Sequence, residues 1–269
     1  MGAVVITPKY KIFSPSASLR DYVSYYWLSL DNPDMSYMAL PDGAVDLVIQ
    51  VCATGAETWV YGTTTARTDI LVNQQCHYLG IRFKPGQSRY FMTAAAHELT
   101  DGYELSQGLL RFSLDDVFKE VACADVANYL DRLLENYLIK WQPVRHRIDD
   151  IIGLIESNSG TLSIREAAAS FGKSRRQFER VFLQTVGVSA KFFSLITRFR
   201  RAASLIVSPA EVALAEVAAA TGYADQSHMS HEFKRLINMS PAQFARDARE
   251  HVAFLQDLTC AKSETRLSK

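Results

Sequence analysis

Through the first 113 residues, apolar side chains alternate with polar ones at the period of a strand. From residue 114 onward they recur every three or four positions, as on one face of a helix. Residues 22–30 are rich in aromatics, and over 45–51 Val45, Leu47, Ile49 and Val51 alternate with Asp46 and Gln50. A short run spans 58–61, and another over 78–83 leads into Lys84-Pro85-Gly86. Turn chemistry divides these runs at Asp31-Asn32-Pro33-Asp34 and Pro41-Asp42-Gly43. The pattern predicts a compact antiparallel β barrel or sandwich.

Over 114–140, Phe118, Val121, Val126, Tyr129, Leu130, Leu133, Leu134, Tyr137 and Leu138 form an apolar stripe beside Asp115, Asp116, Lys119, Asp131, Arg132 and Glu135. Packing on the β domain or a dimer contact would each cover it. Trp141-Gln142-Pro143 breaks the period and sets a domain boundary near residue 143. A helix over 145–156 then turns Ile148, Ile151, Ile152 and Ile155 inward. Ser163-Ile164-Arg165-Glu166 is a capping box opening a short helix over 164–169. After a turn at Phe171-Gly172-Lys173 the helix 174–184 completes a helix-turn-helix. Ser189 caps a long helix to about residue 207, with Phe192, Phe193, Ile196, Phe199, Ala203 and Ile206 inward and Ser208-Pro209 as its stop.

Helix 174–184 turns Phe178, Val181 and Phe182 to a core and leaves Arg175, Arg176, Glu179, Arg180 and Gln184 outside, a face suited to the major groove of DNA. The unit occurs twice. Ser174 and Asp225, Phe178 and Met229, Phe182 and Phe233, Gly187 and Asn238, Ser189 and Ser240, and Phe193 and Phe244 all lie 51 residues apart. The exchanges keep the local chemistry: Ser and Asp both cap helix starts, and Gly and Asn both accept the left-handed conformation that ends one. The second copy runs through a helix over 214–220, a turn at Thr221-Gly222-Tyr223-Ala224, a helix over 225–236 and a closing helix from Pro241. It differs in a turn glycine one residue earlier, in His231 where the first copy has Arg180, and in the added charge of Lys234-Arg235.

Charge sharpens the picture. Residues 1–144 carry 11 basic against 16 acidic side chains, and 145–251 carry 15 against 11, so an acidic front half precedes a basic back half, as suits a polyanion-binding module. The cysteines Cys52, Cys76, Cys123 and Cys260 have no zinc-finger spacing and are expected to be reduced. His77 and His97 lack companion metal ligands, and no nucleophile elbow, phosphate-cradling glycine loop or dinucleotide fingerprint is present. The sequence therefore offers no catalytic residue, no cofactor and no metal site. It lacks the ~20-residue apolar run of a membrane helix, and a cytoplasmic protein with no membrane partner is expected.

The run Leu162-Ser163-Ile164-Arg165-Glu166-Ala167-Ala168 with Phe178-Glu179-Arg180-Val181-Phe182 carries a family resemblance. The run from Ala219-Ala220-Thr221-Gly222-Tyr223-Ala224-Asp225-Gln226-Ser227-His228-Met229-Ser230-His231-Glu232-Phe233-Lys234 to Ser240-Pro241-Ala242-Gln243-Phe244 carries it more specifically. Residues 145–250 resemble the DNA-binding domain of the AraC/XylS family of bacterial transcription regulators. The resemblance implies two helix-turn-helix subdomains joined by one long helix, reading major-groove segments about one ~34 Å turn apart. Leu40-Pro41-Asp42-Gly43 and Gly80-Ile81-Arg82-Phe83-Lys84-Pro85-Gly86 resemble the domain of unassigned ligand that precedes this module in many members. Related regulators there use a cupin-like barrel for an effector and following helices to dimerise.

The fold implied is a two-domain α+β chain: a β-rich sensor domain (1–113), a helical dimerisation or linker segment (114–143), an all-α tandem helix-turn-helix domain (144–251) and a tail (252–269). Family positions that touch bases fall on Arg176, Glu179, Arg180, Gln226, Ser227, Ser230 and His231. Arg180 can fork to guanine, Gln226 to adenine, and Glu179 can accept from cytosine. Lys173, Arg175, Gln184, His228, Lys234 and Arg235 are expected at phosphates, with a solvated helix face as the alternative for the charged ones. One of Arg198, Arg200 and Arg201 could instead brace the subdomains internally. Asp46 and Arg82 either face an effector cavity with Tyr25, Trp27 and Tyr61 or pair with each other. The partners expected are double-stranded DNA, an unknown small-molecule effector, RNA polymerase if the protein activates, and a second copy. The competing class is an enzyme or DNA-repair adaptor whose reactive cysteine would be Cys76, beside His77.

Overall fold

The computed structural model describes residues 9–30, 36–114, 117, 125–208 and 212–250. The expected turn at 31–34, the charged and apolar positions 115–116 and 118–121, Pro209, Cys123, Cys260 and the tail 252–269 lie outside them. The N-terminal half contains β1 (Lys9–Phe13), β2 (Val23–Leu30), β3 (Ser36–Ala39), β4 (Asp46–Cys52), β5 (Gly55–Tyr61), β6 (Thr68–Leu71), β7 (Cys76–Phe83) and β8 (Tyr103–Leu105). Six of these form one antiparallel sheet in the order β1-β2-β7-β4-β5-β8, while β3 and β6 pair separately.

Alternation sorts the large sheet into two faces. Leu47, Ile49, Val60, Leu79, Ile81 and Phe83 share one core with Val23, Tyr26 and Leu28, the register of β2 shifting between Val23 and Tyr25. Helix α1 (Val126–Trp141) closes this face with Val126, Leu130 and Leu134, and the Tyr26 hydroxyl donates to Asp131 at 2.8 Å. Of the two covers open to the stripe, the sheet is the one observed. The outward positions Asn128, Arg132 and Asn136 are polar, whereas Ile139 and Trp141 near the end of the helix are exposed.

Cys52 and Cys76 are not reduced: they face each other across β4 and β7 with their Cα atoms 4.3 Å apart and form a disulfide. Their separation of 24 residues gives no sign of this until the strand register is known.

The C-terminal half comprises α2 (Arg147–Ser157), α3 (Ile164–Phe171), α4 (Arg175–Val186), α5 (Ala190–Ile206), α6 (Leu214–Ala220), α7 (Gln226–Ile237) and α8 (Pro241–Glu250). Ser163 accepts from the Glu166 amide while Glu166 reaches back to the Ser163 amide, as the capping box predicts. One apolar core runs through both helix-turn-helix units, and Leu40 of the β domain is part of it.

The two motifs of the N-terminal half meet this core. A Cβ on Gly43 would strike the Phe193 ring, and one on Gly86 would lie 2.7 Å from Ile152 Cδ1. Beyond Gly86, the buried Asp149 carboxylate at the start of α2 accepts from Arg89 at 2.5 Å, Gln87 at 2.9 Å and the Tyr90 hydroxyl at 2.9 Å. Burial alone would raise its pKa. The hydrogen bond and charge of Arg89, with the bonds from Gln87 and Tyr90, outweigh that and hold it below the ordinary carboxylate value.

Candidate nucleic-acid interface

The duplication inferred from spacing is visible atom by atom. Ser174 accepts from the Gln177 amide at 3.3 Å and Asp225 from the His228 amide at 2.7 Å. Gly187 and Asn238 end α4 and α7 with φ of 92° and 55°, the left-handed conformation expected of both. Ser189 and Ser240 each accept an amide three residues on, at 3.2 Å in both cases. The ring pairs Phe182–Phe193 and Phe233–Phe244 repeat at 5.6 and 5.7 Å. Two equivalent sites thus stand on one strut, α5, which packs on α4 through Phe193 and on α7 through Phe199, 4.8 Å from Phe233.

Both groove-facing surfaces are open. On α4, Arg175, Arg176, Glu179, Arg180 and Gln184 are exposed, with Lys173 just before it. On α7, Gln226, Ser227, His231, Lys234 and Arg235 are exposed, and Ser230 is half-buried with its hydroxyl donating to Gln226 O at 2.9 Å. Gln226, Ser227, Ser230, His231 and Lys234 together line one shallow groove. Glu179 is held by Arg175 Nε at 2.8 Å, so a cytosine amine would compete with that pair.

His228, expected at a phosphate, is exposed and also holds the turn before α7. Its Nδ1 accepts from the Ala224 amide at 3.4 Å, its ring meets Tyr223 edge-on at 5.4 Å, and Nε2 lies 3.6 Å from Glu232. The side chain thus supports the turn. Arg198 is an internal brace of the strut: it donates to Glu232 at 2.8 Å and lies over the Tyr223 ring at 4.8 Å. Burial, then the Glu232 charge, push the Tyr223 hydroxyl pKa up.

In the β domain four of the five proposed effector residues fall in one cross-strand row. Tyr25 pairs with Arg82, Arg82 with Asp46, and Asp46 with Tyr61, and the row continues to Tyr103. Arg82 Nη1 donates to Asp46 at 2.6 Å, and its other terminal nitrogen meets Asp42. Asp46 and Arg82 therefore pair with each other, with Asp42 as the member the sequence reading missed because it stood in a turn motif. Trp27 sits one row along, opposite Gly80, with its indole nitrogen 3.4 Å from Asp46.

Comparison with known families separates the same two parts. Residues 167–247 match a family described as a helix-turn-helix domain, and residues 11–104 match a domain of unknown function, DUF6597. The C-terminal part carries a helix-turn-helix domain of the AraC type. Among solved structures, an AraC-type transcriptional regulator from Chromobacterium violaceum is 29% identical over 37% of this chain and 88% of its own, with a TM-score of 0.34. The DNA-binding domain of AdpA in complex with a target DNA is 21% identical over 39% of this chain and 96% of its own, TM-score 0.36. ToxT from Vibrio cholerae is 10% identical over 89% of this chain and 98% of its own, TM-score 0.45. No curated protein matches the sequence. The helix-turn-helix match thus runs from within α3 to α8, and the β domain contacts both of its units.

Proposed function

We propose that this protein is a cytoplasmic, sequence-specific transcription regulator that reads two adjacent major-groove segments of double-stranded DNA with α4 and α7. One observation carries the reading: two helices with matching caps and matching core contacts leave polar, base-competent faces uncovered on a shared strut. Arg176, Glu179 and Arg180 are the base readers of the first copy, and Gln226, Ser227, Ser230 and His231 those of the second. Lys173, Arg175, Gln184, His228, Lys234 and Arg235 anchor phosphates.

The β domain is the regulatory part, and a small-molecule effector would meet it at Tyr25, Trp27 and Tyr61, beside the Arg82–Asp46 pair. RNA polymerase is the further partner in activation, and a second copy would double the sequence read. The competing DNA-repair adaptor needs a free thiolate, whereas Cys76 is disulfide-bonded and 1% exposed. Selection of bound sites from a random DNA pool, with and without cell metabolites, tests the proposal. The expected product is a bipartite motif with centres about 10.5 base pairs apart. Equal affinity for selected and scrambled sites overturns it.

A further inference from the structure

The last carbonyls of an α-helix have no partner within it. In both α4 and α7 the β domain takes one of them. At the end of α4, Thr63 Oγ1 donates to Val186 O at 2.8 Å and Thr100 Oγ1 to Gly187 O at 2.8 Å. At the end of α7, the Arg67 amide donates to Leu236 O at 2.9 Å, and Arg67 Nη1 lies 3.6 Å from Met239 Sδ. Val186 corresponds to Ile237 across the 51-residue repeat, so the captured ends are adjacent positions of one motif. Thr63 and Arg67 belong to the same short connection between β5 and β6, and Thr63 is fully buried.

We propose that residues 63–67, with Thr100, form a clasp that fixes the separation and rotational phase of α4 and α7. Thr63, Thr100 and Arg67 are then specificity-determining positioning residues: they touch no base but set the half-site spacing the protein accepts. Within the helical domain the two units are joined by one 17-residue helix of ~26 Å and the core packed along it. A second connection converts the pair into a rigid caliper. The inference rests on the DNA-reading function proposed above.

The test uses the full chain and a panel of selected sites carrying inserts between the half-sites. Wild type loses affinity about tenfold or more when an insert of ~5 base pairs turns the half-sites to opposite faces, and several-fold with a single pair. Thr63→Val with Thr100→Val, and separately Arg67→Pro, which removes the donating amide, flatten this profile while leaving affinity for the best site within about threefold. Thr100→Val alone, at a half-buried position, serves if the double variant misfolds. A wild-type spacing profile in folded variants overturns the clasp.

Hydrogen exchange without DNA separates this result from failure of the DNA reading. In the threonine variants the Arg67 amide exchanges faster if the two helix ends are coupled through the connection. Unchanged protection of that amide overturns the clasp whether or not the protein selects any DNA.

Discussion

Arg198 of the strut and Glu232 of the second groove-facing helix form an ion pair of 2.8 Å whose side chains are 19% and 11% exposed. Removing one member leaves the other charge buried without its partner. Glu232→Leu is expected to cost about 3 kcal/mol in urea denaturation, whereas Arg198→Met with Glu232→Leu recovers most of it. A loss in the double variant equal to the sum of the Arg198→Met and Glu232→Leu losses would show that the pair contributes nothing beyond its separate parts.

Base and phosphate contacts predict different signatures. Arg180→Ala should lose about 1–3 kcal/mol on the selected site and relax preference at one base position. Lys234→Ala should weaken binding to all sequences alike and reduce the salt slope by about one. Binding titrations at several salt concentrations on selected and scrambled DNA distinguish the two.

Asp149 links the β domain to α2, and its folded pKa is depressed. Its contribution to stability is therefore complete above the unfolded carboxylate value of about 3.9 and is lost as pH falls from there through the folded value. Asp149→Asn should be less stable than wild type at pH 7, with the gap narrowing below about pH 4. Denaturation midpoints at pH 7 and through the acid range check the sign, and a gap that widens on acidification contradicts it.

The Cys52–Cys76 bond closes a loop across two central strands. Reduction, or Cys52→Ser with Cys76→Ser, should lower stability by about 3 kcal/mol. Thermal melts with and without reductant measure this, and the serine variant should no longer respond to reductant.

The helical half was legible because its signals are local. Ser163 with Glu166, Ser174, Ser189 and Asp225 announce helix starts within four residues, and a 51-residue offset needs no knowledge of the fold. The β half was read in part. The long runs at β2, β4 and β7 were found, whereas β1, β3, β6 and β8 are three to five residues long and too short to show a period. Contacts made only across the fold left no trace: the disulfide depends on strand register, and the Asp149 cluster joins residues 60 apart. Leu40-Pro41-Asp42-Gly43 and Lys84-Pro85-Gly86 were recognisable as motifs, but their reason, close approach to Phe193 and Ile152, lies in another domain.

Gly187 and Asn238 perform the same left-handed turn, yet they are not exchangeable. A Cβ at Gly187 would lie 2.9 Å from Thr100 Oγ1 and 3.1 Å from Ala96 O, whereas Asn238 faces solvent. The β domain therefore crowds the turn residue of the first copy, while that of the second copy stays open. Placing the second copy in the first copy's position would preserve every intrinsic helix signal and still fail at this one atom.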